Sequence, residues 1–226
     1  MCAVIGISIH DATESDIELI KRIFLESRIR GKHATGVSYI KGDAIVTFSL
    51  PVPADEFIEQ FDFHDTIHNG NINLIGHCRY STSDLEYNQP IADGDKAIVH
   101  NGVISQELPE NWEALYGIKC ETKNDTELLL RTEGNPFAAW PNASISAIVL
   151  YPNELKVYRN GKRPLYETIV ENGFILTSTK DIARRAGVQG IAKKVEYKGT
   201  DLQPLTTINK PSPMATKSNG VTLTVA

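Results

Sequence analysis

Met1-Cys2-Ala3-Val4-Ile5-Gly6-Ile7-Ser8-Ile9-His10 is the stretch on which the reading of this 226-residue chain turns. Ala3 to Ile9 is apolar and rich in β-branched residues, the pattern of a buried strand. Such a strand would hold in place a chain end that in most proteins frays. Removal of Met1 would expose Cys2, with a thiol and a free α-amine on one residue. An α-amine titrates near ~7.7–8.0, so at neutral pH it can act as base for its own thiol. Taken alone, these ten residues read better as an ordinary Met-Cys start on an ordinary strand.

The composition suits one large domain with a filled core: 41% of residues are hydrophobic. A net charge of −5 gives no electrostatic reason to expect nucleic acid or an anionic membrane as partner. No apolar run approaches the roughly 18–20 residues of a membrane span, and no basic segment precedes the first apolar run as in a signal peptide. Three cysteines (Cys2, Cys78, Cys120) without metal-site spacing suit reduced thiols. The expected location is the cytoplasm. His64 and His68 could share a helix face as metal ligands, but with no third ligand at a defined spacing they read as solvated polar residues. No metal and no cofactor is expected.

Further along, Ser15-Asp16-Ile17-Glu18 reads as a capping box, and Ile17, Ile20, Phe24 and Ser27 recur at helical spacing towards Arg30 and Gly31. Residues 36–40 and 44–48 read as a hairpin about Lys41-Gly42-Asp43. A helix is expected from about Asp55 to Phe61, and strands at 71–79 and 97–99. A helix capped at Asn124-Asp125 should run to Gly134, followed by a hairpin over 145–158, a strand at 174–177 and a helix at 181–186. Cys78 reads as a small buried hydrophobe, and Trp112, Tyr116 and Trp140 as packing residues. Residues 1–205 are expected to form the domain and 206–226 a polar tail, in which Val221 to Val225 could pair as a late edge strand. Periodicity leads no further than a mixed α/β domain.

Five short segments gather polar residues at expected element ends. They are Arg30-Gly31, Arg79-Tyr80-Ser81-Thr82, Asn88-Gln89-Pro90, His100-Asn101-Gly102 and Asn124-Asp125-Thr126-Glu127. Each alone has an ordinary explanation: a helix end, a surface charge, a turn or a cap. Together with Cys2 they form the parts of a cysteine amidohydrolase. A thiolate attacking a carboxamide needs preorganised donors at the developing oxyanion, and the Asn101 side chain with the Gly102 amide offers two. A free amino acid needs a cation for its carboxylate and an anion for its ammonium, as Arg79 and Asp125 would supply.

In that order, these motifs resemble the set found in class II glutamine amidotransferase domains, the N-terminal-nucleophile glutaminases of amidophosphoribosyltransferase and glucosamine-6-phosphate synthase. Arg159-Asn160-Gly161-Lys162-Arg163-Pro164-Leu165 and Thr177-Ser178-Thr179-Lys180 extend the resemblance to about residue 190. Ser83-Asp84 and Asn160 depart from the family pattern. The resemblance implies an α+β, four-layer αββα sandwich of two mainly antiparallel sheets between helices. It implies Cys2 as nucleophile with its own amine as base, and Asn101 and Gly102 as the oxyanion hole. Arg79, with Thr82 nearby, would bind the glutamine carboxylate, Asp125 the ammonium, and Arg30 would support the terminus. Glutamine would be hydrolysed to glutamate and ammonia through a Cys2 thioester, and the chain's length leaves the acceptor reaction to a separate synthase subunit. The alternatives are a hydrolase of other γ-glutamyl amides and a non-catalytic binding domain.

The mechanism requires that the native protein begin at Cys2. Intact mass of protein from its own host should be lower by one methionine, and full retention of Met1 would remove the proposed base.

Overall fold

The seven residues of the first strand, β1 (Ala3–Ile9), are all buried, because both faces of the strand are covered. The computed structural model describes residues 1–81, 85–152 and 154–196. After β1 come α1 (Glu14–Ser27) and the hairpin β2 (Ala34–Lys41) and β3 (Ala44–Leu50). Next are the single turn α2 (Ala54–Phe57), the short β4 (Ile67–His68) and the long β5 (Asn71–Arg79). The middle of the chain holds β6 (Ile91–Asp93), β7 (Lys96–His100), α3 (Trp112–Tyr116), α4 (Thr126–Arg131) and α5 (Pro136–Ala139). A second hairpin, β8 (Ser146–Tyr151) and β9 (Glu154–Arg159), precedes β10 (Tyr166–Val170), β11 (Gly173–Thr177), α6 (Lys180–Ala186) and β12 (Lys193–Lys194).

Among the described residues, one sheet runs β12-β10-β11-β1-β5-β2-β3, with β4 on β5, and a second runs β6-β7-β8-β9. All of these pairings are antiparallel. Strand β1 is central, with Ala3 opposite Cys78 of β5 and Ile5 opposite Thr177 of β11.

Period-two alternation sorts the strand residues into three apolar layers. Ala3, Ile5, Ile7 and Ile9 point out to Ile17, Ile20 and Phe24 of α1 and Ile182 of α6. Val4, Ile75 and Leu176 point inward, against Ala97, Val99, Ile148 and Leu150 of the second sheet. On the far side Ile98, Ala147 and Val149 meet Leu128, Leu129, Trp112 and Trp140. Three apolar interfaces separate four layers, which is the expected αββα sandwich. Each fully buried Ile or Leu in them contributes about 1.5–3 kcal/mol relative to exposure. Among the described residues no helix is long and apolar enough to cross a membrane.

Several local expectations need correction. The cap of α1 is Thr13, in extended conformation, whose backbone N–H and hydroxyl both donate to Asp16 Oδ2 at 2.8 and 2.7 Å. Glu18, taken as the reciprocal partner of Ser15, instead pairs with Lys21 at 2.7 Å. Helix α1 stops at Ser27, and two tight turns carry the chain to Gly31. The helix expected to Phe61 is the single turn Ala54–Phe57, and α4 ends at Arg131 rather than at Gly134. His64 lies in a 3₁₀ turn (Phe63–Thr66) and His68 in β4, so they share no helix face. His64 is held by Glu14 and Asp62 at 2.9 and 2.8 Å. The tail 206–226 and the edge strand expected at 221–225 lie outside the described residues.

Where β5 crosses under α1, Gly76 carries no side chain because the Phe24 ring fills the place of a Cβ. Phe24 is itself locked by a stacked Phe57 and an edge-on Phe63. Gly76→Ala should therefore cost about 1–3 kcal/mol. In the double variant with Phe24→Leu the losses should fall short of additive by at least ~0.5 kcal/mol. Denaturant unfolding of the four proteins measures this; strict additivity would mean the two positions do not oppose each other.

Candidate active site

One end of the sandwich is polar, and a cavity of about 400 Å³ opens there, lined by the start of β1, the end of β5, the end of β7 and the start of α4. Cys2, Arg79, Gly102 and Asp125, four residues distant in sequence, all line it.

Cys2 is half-buried just before β1. The Val4 N–H donates to Ser178 Oγ at 2.8 Å and Arg30 Nε donates to the Cys2 carbonyl at 3.0 Å, so the strand end is tied on two sides. The Cys2 sulfur lies 3.9 Å from the Tyr80 carbonyl oxygen. Burial lowers the Arg30 pKa; the Cys2 sulfur opposes the shift and the Arg163 cation adds to it. The Met1 sulfur sits 3.8 Å from Arg30 Nη2 and 3.9 Å from Arg163 Nη1, and Met1 is 64% exposed. With Met1 attached, the Cys2 nitrogen is an amide. Arg30 lies outside the cavity that Cys2 lines and instead lines a neighbouring one of about 420 Å³ with Met1, Ile29 and Ile182.

Arg79 ends β5, its Nη1 donating to the Tyr87 carbonyl at 2.9 Å and to Asn88 Oδ1 at 2.8 Å. Thr82, with Ser83 and Asp84, lies outside the described residues. Past the end of β7, the Asn101 amide donates to the Ser146 carbonyl at 2.9 Å. The Asn101 side chain is buried, yet its Nδ2 has no hydrogen-bond partner. An unpaired buried donor costs roughly 1–3 kcal/mol, so an amide left in this state marks a place where an acceptor would be welcome. At Gly102 a Cβ would collide with the Ser144 carbonyl, so only glycine lets the loop approach β8 this closely.

Asp125 does not cap its own helix. Its Oδ2 accepts from the Ile104 and Ser105 amides at 2.6 and 3.3 Å, reaching across to the loop after Gly102. Its neighbour Glu127 is buried and accepts from the Glu121 and Thr122 amides at 2.8 and 2.6 Å while pairing with Arg131 at 2.7 Å. Burial opposes ionisation of Glu127, but those hydrogen bonds and the Arg131 cation together hold its pKa below the ordinary value. Glu127 thus fixes the approach to Asp125.

Two histidines complete the inner wall, and neither had a role assigned from sequence. His77 is buried and both its ring nitrogens are without hydrogen-bond partners. Burial, with smaller contributions from Arg79 and His100, lowers its pKa from 6.5 to about 3. His100 is likewise buried, and burial lowers its pKa against the opposing field of Asp125. Gln89 and Thr126 also line the cavity. The signal for His77 was its spacing from Arg79, which on a strand puts both on one face. Trp112 is buried as a packing residue but forms part of the cavity wall too. Cys78 is fully buried as expected, and burial pushes its thiol up to about 12. Among the described residues no group of three or more His, Cys, Asp or Glu is placed to hold a metal.

No protein-family model matches the sequence, and no curated protein matches it. Solved structures do. The glutamine phosphoribosylpyrophosphate amidotransferase of B. subtilis, complexed with ADP and GMP, superposes with a TM-score of 0.63 at 20% identity, over 86% of this chain and 45% of that one. A structure described as the allosteric regulatory enzyme of purine biosynthesis gives a TM-score of 0.64 at 21% identity over the same shares. The chain therefore spans less than half the length of either. At this identity the likeness establishes the fold alone, the sandwich of two antiparallel sheets between helices.

The buried neutral histidines make stability pH-dependent with a definite sign. A folded pKa near 3 against 6.5 unfolded means that His77 contributes its full stability above about pH 6.5 and loses it progressively as pH falls towards 3. Between pH 7 and pH 5 that loss is about 2 kcal/mol. His77→Gln should lose less stability than the parent over this interval by about that amount, measured by urea unfolding at the two pH values. An equal loss in both proteins would show that His77 does not titrate in this range.

Proposed function

We propose that this chain is a glutaminase that hydrolyses glutamine to glutamate and ammonia through a Cys2 thioester. One observation carries the reading: a single cavity gathers Cys2, Arg79, Gly102 and Asp125, with the unpaired Asn101 Nδ2 donor adjoining Gly102. Arg79 pairs with the glutamine α-carboxylate and Asp125 with the α-ammonium. Once Met1 is gone, the Cys2 amine accepts the thiol proton and the sulfur attacks the carboxamide carbon. The carbonyl π pair moves onto oxygen, where Asn101 Nδ2 and the Gly102 amide stabilise it. Collapse of that intermediate breaks the C–N bond, and the Cys2 ammonium returns its proton to the departing nitrogen, which leaves as ammonia. Water, deprotonated by the same amine, then attacks the thioester and releases glutamate and free thiol. Arg30 acts from outside the cavity by fixing the Cys2 carbonyl.

We assign the catalytic domain to residues 1–205 and the cytoplasm as its location. By analogy with the similar amidotransferase, of which this chain covers 45%, ammonia passes to a synthase partner.

The experiment is glutamate release by purified protein of verified N-terminus, with circular dichroism confirming each variant's fold. Cys2→Ala should abolish turnover, and a diazo-ketone glutamine analogue should label Cys2 only. Asn101→Ala should lower kcat by roughly 10²–10³ with a smaller change in KM. Arg79→Ala and Asp125→Ala should each cost about 2–5 kcal/mol in glutamine use. Near-parental activity of Cys2→Ala would overturn the reading. Turnover of a γ-glutamyl anilide but not of glutamine would replace it with hydrolysis of other γ-glutamyl amides.

A further inference from the structure

In the cavity wall, Gln89, His100 and Thr126 close a hydrogen-bonded ring whose every member is buried, at 7%, 2% and 0% exposure. The directions of its bonds follow from chemistry. The His100 backbone N–H can only donate, so the Gln89 atom 2.6 Å away is its carbonyl Oε1. Gln89 Nε2 must then point the other way, and it donates to Thr126 Oγ1 at 2.9 Å. His100 Nε2 lies 3.0 Å from the Ser144 carbonyl, which can only accept, so Nε2 carries the proton. Burial holds the ring neutral, which leaves Nδ1 an acceptor. The atom facing Nδ1, at 3.3 Å, is Thr126 Oγ1, whose own proton closes the ring.

The position of this ring gives it a consequence. His100 immediately precedes Asn101, and Thr126 immediately follows Asp125. The loop 101–105 is therefore gripped from both ends by consecutive residues: Thr126 holds His100 before the loop, and Asp125 holds the Ile104 and Ser105 amides after it. Ser144, which receives His100 Nε2–H, also accepts the Val103 amide at 3.2 Å on the same carbonyl.

We propose that Thr126 is a positioning residue, its hydroxyl locking the Nε2-protonated form of His100 and through it the Asn101–Gly102 donor pair. The inference rests on the glutaminase reading and adds to it a residue whose hydroxyl is engaged within the wall, by Gln89 and His100. Without the hydroxyl, Gln89 Nε2 and His100 Nδ1 are both left unpaired in a dry interior, and the loop can relieve that only by moving. A group that aligns oxyanion donors affects the transition state more than substrate binding.

Thr126→Val keeps shape and removes the hydroxyl. It should lower kcat for glutamine at least tenfold while KM stays within about twofold, and Thr126→Ser should restore most of the rate. Gln89→Met cuts the ring at its other corner and should reproduce the kcat loss, so the inference does not hang on one variant's folding. Nitrogen-15 spectra of labelled His100 give a readout independent of activity. The wild type should show a protonated Nε2 and a hydrogen-bonded, unprotonated Nδ1, and Thr126→Val should move the Nδ1 resonance downfield as that bond is lost. A proton on Nδ1 in the wild type, or unchanged kcat in both folded variants, would overturn the positioning role. If the wild type releases no glutamate, the glutaminase reading falls instead, and the nitrogen spectra alone decide whether the ring is built as inferred.

Discussion

The architecture depends on β1 being buried on both faces while Cys2, the residue just before it, stays half-exposed. Seven consecutive buried residues at the centre of the larger sheet cannot slip without exchanging the outward set, Ala3, Ile5, Ile7 and Ile9, for the inward one. A one-residue slip would also break the Val4–Ser178 and Cys2–Arg30 hydrogen bonds. The register is therefore set twice, by apolar burial along the strand and by polar ties at its end. The thiol is held by the whole sheet rather than by a loop.

The polar end of the sandwich obeys the opposite rule. Most buried polar groups there are fully engaged: Glu127 by two amides and Arg131, Asp125 by two amides, Gln89, His100 and Thr126 by one another. Among the described residues, the exceptions are Asn101 Nδ2 and the two nitrogens of His77, with Arg163 Nε beside Met1. Unpaired buried groups amid such complete satisfaction are the part of the site left unfinished by the protein itself. A neutral His77 can remain unpaired at tolerable cost because desolvation has removed its charge. Asn101 has no such recourse, since an amide cannot titrate, and only an incoming acceptor relieves it.

Much of this was legible in the residues. The continuous apolar, β-branched run of β1, the helical spacing of Ile17, Ile20 and Phe24, and the turn at Lys41-Gly42-Asp43 each reported a local structure that is present. The layering was not legible from periodicity; it came from the resemblance of the motifs, because nothing local in β7 or β8 says which sheet a strand joins. Strands β6 and β10 were missed since Ile91–Asp93 is short and Tyr166–Val170 leaves only Thr168 deeply buried. Thr13 and Ser15 both offer cap chemistry three residues before an acid, and only the backbone conformation distinguishes them. The candidate site was readable as a parts list of Cys2, Arg79, Asn101, Gly102 and Asp125. That Asp125 spends one oxygen on the 104–105 amides, and that Gln89 and Thr126 share a ring with His100, are tertiary facts with no sequence periodicity behind them.

The division of the site between the two sheets is what ties its chemistry to the core. Cys2 and Arg79 belong to the larger sheet, through β1 and β5. Asn101 and Gly102 belong to the smaller one, held by the Ser146 carbonyl and pressed against Ser144 beside β8. Between the sheets stand Val4, Ile75 and Leu176 on one side and Val99, Ile148 and Leu150 on the other. Their packed thickness sets the separation of the sheets that carry Cys2 and the Asn101–Gly102 pair, the oxyanion donors of the proposed mechanism. Interiors at crystal-like density change spacing when a methylene is added or removed, and an ångström of misplacement can cost two orders of magnitude in rate. Val4 is only two residues from Cys2, so under the proposed mechanism the layer that stabilises the fold would also be the ruler for the reaction. The polar ring at Thr126 would then have the narrower role proposed for it, setting the orientation of Asn101 and Gly102 while the apolar seam sets their distance from Cys2.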